Sequence, residues 1–366
     1  MENDIVLIIV VATALAFDFT NGFHDTANAV ATSISTRAMS PRAAVTLAAA
    51  LNFVGAFLSL AVAATVAKGI VEADLVTPTI VFAGLVGAIF WNLLTWYFGL
   101  PSSSSHALIG GVVGAAFAAE GPNAVKGNGI IEKVAVPALV APLLAFVVAG
   151  LAILVCYRII GRRRPGPVTR GFRLGQIVTA SLFSLAHGTN DAQKTMGIIL
   201  LALIANGSVS PDADVPTWVV LSAATAIAAG TYAGGWRIIK TMGSRIIKMD
   251  PAQGFAAQGA GAAVILSASH AGFPLSTTHV ISGAVMGAGA AKRVSAVRWG
   301  VAGNIIIAWI LTLPASATVG ALTYGVTRIF GTGSTGPVIV ATALALALAA
   351  LFAQRVSAGR TLTAES

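Results

Sequence analysis

Residues 17–29, Phe-Asp-Phe-Thr-Asn-Gly-Phe-His-Asp-Thr-Ala-Asn-Ala, return later in the chain as residues 183–195, Phe-Ser-Leu-Ala-His-Gly-Thr-Asn-Asp-Ala-Gln-Lys-Thr. Both copies hold a glycine and an aspartate at the same spacing, which are Gly22 with Asp25 and Gly188 with Asp191. The copies differ where His24 aligns with Asn190 and where Asn28 aligns with Lys194. A polar motif that recurs in register within apolar sequence indicates a chain of two related halves.

A second motif follows the first in each half. Residues 101–110 read Pro-Ser-Ser-Ser-Ser-His-Ala-Leu-Ile-Gly, and residues 274–283 read Pro-Leu-Ser-Thr-Thr-His-Val-Ile-Ser-Gly. Two matches in the same order make chance similarity between Gly- and Ala-rich helices a poor explanation. We therefore expect an N-terminal repeat over 1–160, a basic linker over 161–171, a C-terminal repeat over 172–330, and an extra span with a tail over 331–366.

The composition is that of an integral membrane protein. Of the 366 residues, 56% are hydrophobic and 10% are charged, with a mean hydropathy of +0.86, whereas soluble domains carry about 25% charged residues. The acidic start Met-Glu-Asn-Asp lacks the basic stretch that opens a secretory signal, so we expect a retained first span. The single Cys156 excludes an intrachain disulfide. The net charge is +9, but the basic residues lie in short loops between apolar segments, which argues against nucleic acid as a partner.

Apolar stretches near the roughly 20 residues that a spanning helix needs recur along the chain. They predict spans at 5–35, 43–68, 134–158, 172–205, 217–238, 299–327 and 336–354. Two further stretches, 79–119 and 254–291, each predict a helical hairpin interrupted at its centre, where the second motif lies. Such a hairpin can re-enter the membrane or cross it twice, because both versions return to the side that they left.

In this topology most Lys and Arg residues lie on one side of the membrane, and most acidic residues lie on the other side. Because cytoplasmic loops are rich in Lys and Arg, we expect a multi-pass plasma-membrane protein with its N-terminus outside and its C-terminus in the cytoplasm. In this topology the first motif runs from the outside of the membrane to the inside in the N-terminal half, and from the inside to the outside in the C-terminal half. The expected fold is therefore an all-α inverted-repeat transporter with two broken or re-entrant hairpins, and its substrate site lies near the midplane.

Four charged residues lie within apolar segments, namely Asp18, Asp25, Asp191 and Lys194. Each such charge costs about 2.5–3.5 kcal/mol at a helix centre, so it faces a partner or a water-filled cavity. For Asp25 and Asp191, which the repeat relates, we favour a functional role over interhelical bonding. For Asp18, which has no counterpart, both interpretations stay open.

The first motif has the chemistry of a cation site. Gly22 and Gly188, set among short polar side chains, predict a helix that is broken there. Carboxylate and amide oxygens are hard ligands that suit Na⁺, and a carboxylate also takes a proton. The candidate coupling residues are Asp25, Asp191, Asn21, Asn28 and His24. Asp25 and Asp191 are the candidate ligands of sodium or a divalent metal.

The second motif has the chemistry of an anion site. Pro101 and Pro274 stand where a helix begins, followed by hydroxyl residues. A helix N-terminus presents free N–H groups and the positive end of the helix dipole. Lys194 adds a point charge, although pairing with Asp191 one turn earlier explains it equally well. The candidate phosphate ligands are Ser103, Ser104, Ser105, Ser276, Thr277, Thr278, Asn190 and Lys194.

These motifs resemble those of the inorganic phosphate transporter (PiT) family, and the resemblance covers nearly the whole chain. Gly22-Phe-His-Asp-Thr-Ala-Asn-Ala-Val-Ala-Thr resembles the first signature of the family, and His187-Gly-Thr-Asn-Asp resembles the second. The resemblance implies a symporter without a cofactor that imports inorganic phosphate with a coupling cation, H⁺ or Na⁺, commonly as a homodimer. It also implies that Asp25 and Asp191 act in transport and that the hydroxyl-rich turns hold phosphate.

Two departures from the sodium-coupled pattern favour a proton. His24 precedes Asp25 where sodium-coupled members have Asn, and Lys194 stands where the repeat predicts Asn. A fixed ammonium near a sodium site repels the ion or replaces it. The pattern is closer to the bacterial low-affinity branch, which takes phosphate with a divalent metal, so we expect Asp25 to carry the proton and His24 to act as a relay.

Three alternatives stay open. A sulfate permease of the same superfamily binds an anion of the same shape, and a channel moves it without coupling. An intramembrane hydrolase is the rival from a different class, because Ser, His and Asp all occur at depth. A nucleophilic site needs one activated Ser, whereas here every element is duplicated, so we expect no enzyme.

Overall fold

The computed structural model describes residues 2–160, 164–331 and 333–347. In these ranges the chain is helical, and its only extended pairing is an isolated bridge between Val71 and Val125. The helices are α1 Glu2–Ser35, α2 Pro41–Gly55, α3 Ala61–Gly69, α4 Pro78–Phe98, α5 Ser104–Glu120, α6 Gly127–Ile130, α7 Val136–Ile160, α8 Pro165–Ala205, α9 Thr217–Ala233, α10 Trp236–Lys240, α11 Pro251–His270, α12 Thr277–Lys292, α13 Trp299–Ile329 and α14 Thr335–Ala347. Single turns of other helix types lie at Ala73–Leu75, Gly121–Ala124, Ile131–Ala135, Thr241–Arg245 and Val294–Ala296. The predicted all-α class is confirmed.

Four stretches of the described chain are long and apolar enough to cross a membrane. They are Asp4–Ser35, Pro78–Phe98, Gly127–Ile159 and Trp299–Ile329. The bent pair Thr217–Ala233 and Trp236–Arg245, with an angle of 59°, is apolar enough to cross only if the two helices are taken as one span. α8 has 41 residues, but the first-motif copy makes its middle polar. Predicted span 43–68 is two helices, α2 and α3, and the part of predicted span 336–354 beyond residue 347 lies outside the described residues.

The two predicted hairpins are pairs of antiparallel helices, α4 with α5 and α11 with α12. Each turns at the second motif. α4 ends at Phe98 and is capped by Gly99, whose φ of 66° is a left-handed conformation that glycine adopts without strain. The first hairpin shares an apolar core with Val6 and Val10 at the start of α1, and the second shares one with residues 27–31 near the end of α1. The hairpins therefore enter the bundle from opposite ends.

The turns of the two hairpins meet inside the bundle. Ser105 Oγ donates to the carbonyl oxygen of Leu275 at 3.2 Å, and the His106 ring packs edge-on against His279 with centroids 4.7 Å apart. α5 and α12 thus begin at a common point, beside the middle of α1 and α8.

The first motif does not break its helices, so the expectation of an unwound segment is wrong. α1 is continuous over Glu2–Ser35 and α8 over Pro165–Ala205. A methyl group on Gly22 would overlap the carbonyl oxygen of Ile227, and one on Gly188 would overlap that of Asn52. The glycines serve close helix packing, as small residues do between membrane helices, and packing outweighs their weak helix propensity.

Gly188→Ala is expected to lower stability by about 1–3 kcal/mol, because the new methyl group forces α8 away from α2. Gly171→Ala is the matched control in the same helix, since a methyl group there meets no atom within 4 Å. The control is expected to leave stability unchanged or to raise it by about 1 kcal/mol. The thermal unfolding midpoints of the two purified variants measure the difference, and equal midpoints would contradict the packing role of Gly188.

Candidate functional site

Asp25 lies at the meeting point of the two hairpins. Its side chain is 2% exposed and sits in the middle of α1. Its carboxylate accepts hydrogen bonds from hydroxyls of both hairpins, namely Ser104 at 2.9 Å, Thr277 at 3.3 Å and Thr278 at 3.4 Å. Asp25 therefore holds α5 and α12 together through a buried charge.

His24 extends the Asp25 cluster toward α4. Its Nδ1 lies 2.6 Å from Asp25 Oδ1, and its Nε2 lies 3.1 Å from Thr95 Oγ1. Ser102 Oγ stands 2.8 Å from Thr95 Oγ1 and 3.4 Å from His24 Nε2. The imidazole thus links a buried carboxylate to two hydroxyls, those of Thr95 and Ser102.

Asp191 is the counterpart of Asp25 on α8 and is fully buried. It accepts from Thr277 Oγ1 at 3.0 Å and forms an ion pair with Lys194. His187 Nε2 stands 2.9 Å from Asp191 Oδ2, but the two atoms are not aligned for a hydrogen bond. Thr277 contacts Asp25 as well, so one hydroxyl bridges the two repeat-related carboxylates.

Lys194 connects both hairpins to α8. Besides Asp191, its ammonium group donates to Ser105 Oγ at 2.5 Å and to the carbonyl oxygen of Leu275 at 2.6 Å. The side chain is 2% exposed, so the charge depends on these partners for solvation. Both predicted roles of Lys194, partner of Asp191 and charge at the anion site, therefore have the geometry that they need.

The N-termini of α5 and α12 are capped in the same way. Ser103 accepts from the backbone N–H of His106 at 3.1 Å, and Ser276 accepts from that of His279 at 3.3 Å. The predicted helix starts are confirmed, three residues after each proline. Because Ser103 and Ser276 face their own backbone, Ser104, Ser105, Thr277 and Thr278 are the hydroxyls that face the acids and the lysine.

The structure brings most of the predicted residues together. Asn28 joins the cluster by donating to Thr278 Oγ1 at 2.9 Å and to Thr277 Oγ1 at 3.3 Å. Asn190 instead donates to Ser269 Oγ at 2.7 Å and holds the turn of the second hairpin, so it stands beside the cluster. Asn21 is buried one turn before His24, and its Oδ1 has no partner among the described residues.

Sequence reasoning omitted two groups at this site. His187 faces Asp191 one turn away on α8, and helical spacing within the first-motif copy could have found it. The Leu275 carbonyl oxygen, which accepts from Lys194, is a backbone group and leaves no signal in the sequence.

One subset of the cluster has the spacing of metal ligands. Asp25, His187 and Asp191 each offer a ligand atom, and these atoms lie within 4.8 Å of one another. A donor set that mixes carboxylates with imidazole suits a divalent transition metal, whereas sodium prefers oxygen alone. The predicted metal ligands Asp25 and Asp191 thus gain a third candidate in His187.

Comparisons with known proteins show which family the chain is similar to. The chain matches the phosphate transporter family over residues 21–170 and again over residues 161–320. It is 58% identical over 326 residues to a probable low-affinity inorganic phosphate transporter of Mycobacterium bovis, which covers 89% of this chain and 78% of the relative. It is 48% identical over 322 residues to a protein of Bacillus subtilis with the same description, covering 87% of this chain and 96% of the relative.

A solved structure has the same fold. The solved protein is described as the sodium-dependent phosphate transporter and is 27% identical to this chain. The two structures match with a TM-score of 0.77, over 88% of this chain and 99% of the solved chain. The predicted resemblance to the bacterial low-affinity branch is confirmed, and so is the expectation of a transporter in place of an enzyme. The chain is a membrane protein of the phosphate transporter family.

Proposed function

We propose that this protein is a secondary active symporter that imports inorganic phosphate together with a cation. The observation that supports this most is the meeting of two hairpin tips, whose hydroxyls face Asp25, Asp191 and Lys194 inside the bundle. Anion donors and cation ligands thus share one buried site. A phosphate bound beside two carboxylates is repelled unless a cation compensates the charge, which couples the two ligands.

The phosphate side consists of the N-termini of α5 and α12. Each end directs unsatisfied N–H groups and a dipole toward the junction, where Lys194 adds a full charge. The side chains proposed to bind phosphate are Ser104, Ser105, Thr277, Thr278 and Lys194, with Ser103 and Ser276 holding the helix ends and Asn190 the hairpin turn. In the described state the hydroxyls donate to Asp25 and Asp191, and phosphate takes over these donors when it binds.

The cation is proposed to be a proton in preference to sodium. His24 and Asp25 form a close buried pair at 2.6 Å, which can hold one proton, with Asp25 as carrier and His24 as relay. The Lys194 ammonium already neutralises Asp191, and its charge opposes a sodium ion there. If phosphate travels with a divalent metal, Asp25, His187 and Asp191 are the residues proposed to hold that metal.

The wider arrangement of the protein is also part of this proposal. Hairpins that enter from opposite ends and carry the same motif support two inverted repeats over 1–160 and 172–330. The distribution of Lys and Arg supports an N-terminus outside and a C-terminus in the cytoplasm of the plasma membrane. A homodimer is proposed from the family resemblance.

Sulfate is the second candidate substrate. A protonated phosphate can donate a hydrogen bond to a carboxylate, whereas sulfate at neutral pH has no proton to donate. Because two carboxylates, Asp25 and Asp191, line the junction, phosphate fits it better. A hydrolase and a channel receive no support from any contact at the site.

Uptake of labelled phosphate into proteoliposomes tests this function. We expect uptake to follow an imposed proton gradient, to ignore a sodium gradient, and to be inhibited by arsenate more than by sulfate. Counterflow exchange, in which internal unlabelled phosphate accelerates entry of label, is expected for a carrier and not for a channel. Uptake driven by sodium alone would contradict the proposed proton coupling, and stronger competition by sulfate would contradict the proposed substrate.

A further inference from the structure

Trp309 lies on α13 and contacts both hairpins at their tips, which are the turns together with the first residues of the helices that follow. Its indole Nε1 donates a hydrogen bond to the carbonyl oxygen of Pro101 at 3.1 Å, in the turn of the first hairpin. Its ring stacks on that of His279, near the start of α12, with centroids 4.0 Å apart and an interplanar angle of 28°. One side chain on a third helix thus joins the two tips.

His279 is held between Trp309 and His106. The His106 ring stands edge-on to that of His279, with centroids 4.7 Å apart and an interplanar angle of 82°. The two histidines hold equivalent positions in the two copies of the second motif, and both are buried. Stacked and edge-on ring pairs stabilise a structure beyond the area that they bury. The three rings therefore form one continuous contact from α13 through the second tip to the first.

The hydroxyls proposed to bind phosphate are closed off from solvent in this state. Each of their side chains belongs to a residue that is at most 2% exposed, namely Ser104, Ser105, Thr277 and Thr278. An anion therefore reaches them only after the tips move apart. Such a movement separates Pro101 from His279, and Trp309 cannot follow both. The contacts of Trp309 are thus made in the closed state and lost, at least in part, in an open one.

The other half of the protein has a smaller residue at the position equivalent to Trp309. A methyl group on Gly110 would overlap the carbonyl oxygen of Leu313 on α13, and one on Gly283, its repeat counterpart, would overlap that of Pro142 on α7. α7 and α13 therefore pack in equivalent ways against α12 and α5. Four residues before these contact points stand Trp309 on α13 and Ala138 on α7. Alanine has neither a ring to stack nor an N–H donor in its side chain.

We propose that Trp309 is a positioning residue for transport, which holds the two hairpin tips together and so favours the closed state of the phosphate site. The inference rests on the proposed carrier function, in which this site opens and closes. A contact made in only one of two states shifts their equilibrium toward that state by its own free energy. Trp309 acts through the Pro101 backbone and the His279 ring, and touches phosphate in neither state.

The reactivity of a cysteine between the tips with a water-soluble maleimide tests this role. Ser105→Cys in a Cys156→Ala background places the single thiol of the chain at the contact with the Leu275 carbonyl oxygen. Trp309→Ala in this background is expected to raise the labelling rate of the purified, phosphate-free protein about tenfold, because a ring stack and a hydrogen bond are lost. Trp309→Phe, which keeps a ring beside His279 but loses the donor, is expected to raise it about threefold.

Trp91→Ala in the same background is the matched control. Trp91 Nε1 donates to Thr312 Oγ1 at 3.0 Å, so this indole also ties α13 to the first hairpin, but through α4 and not through a tip. Trp91→Ala is expected to label at the rate of the parent protein. An equal rise in Trp91→Ala would show a general loosening of α13 and overturn the proposal, as would an unchanged rate in either folded Trp309 variant. Labelling is measured without substrate or gradient, so a wrong substrate or coupling ion leaves this result unaffected.

Discussion

Asp25→Asn is expected to reduce gradient-driven phosphate uptake by about 100-fold or more while the protein remains folded. The carboxylate accepts from Ser104, Thr277 and Thr278, and hydrogen bonds to a charged group contribute about 1.5–3 kcal/mol each, where 1.4 kcal/mol is a factor of ten. The amide of the variant has the same size, but it replaces one acceptor oxygen by a donor and removes the charge that pairs with a cation.

Initial rates of labelled uptake in proteoliposomes measure this effect, with the unfolding midpoint as a check on folding. Asp212→Asn, which changes an exposed acid in the same way, is the control and is expected to transport at the wild-type rate. Asp25→Asn protein that transports phosphate normally would remove Asp25 from the mechanism.

Lys194→Met is expected to have the second large effect, a loss of about 3–5 kcal/mol of stability together with loss of transport. The substitution leaves Asp191 as a buried charge without its ion-pair partner, which is the costly way to break such a pair. It also removes the donor that ties Ser105 and the Leu275 carbonyl oxygen to α8.

The double variant Asp191→Asn with Lys194→Met separates these two effects. Since both charges are removed, much of the stability is expected to return, whereas transport is not, because the anion has lost its ammonium group. Thermal midpoints and uptake rates of the three variants give the coupling energy between the two positions. A double variant as unstable as the sum of the single ones would show that the pair does not act as a unit.

The duplicated motifs made much of this site predictable from the sequence. Two ordered repeats placed Asp25 and Asp191 in equivalent positions, and Pro101 and Pro274 marked helix starts that the structure confirms. These features depend on local sequence, namely a helix-start signal and residues repeated in register. The sequence therefore predicts most of the residues that meet at the hairpin junction, but not His187 or the Leu275 carbonyl oxygen.

The remaining features depend on contacts between distant parts of the chain. Gly22 predicts a helix break when only propensity is considered, but packing against Ile227 makes it part of a continuous helix. Parity along the chain does not distinguish re-entrant hairpins from double crossings, and only the contact between Ser105 and Leu275 shows that the two hairpin turns meet inside the bundle. The hydrogen bond that Lys194 donates to the Leu275 carbonyl oxygen also leaves no signal in the local sequence.

Equilibrium binding of labelled phosphate to the purified protein tests the central claim, that the anion lies between the two hairpin tips. The double variant Ser104→Ala with Thr277→Val removes one hydroxyl from each tip and leaves every charge in place. Its affinity for phosphate is expected to fall at least about tenfold, since about 1.4 kcal/mol of lost hydrogen bonding is a factor of ten. The control pair Ser210→Ala with Thr225→Val, both at exposed positions, is expected to bind as the wild type does. Unchanged affinity in a folded Ser104→Ala, Thr277→Val protein would contradict the account, because phosphate would then bind elsewhere.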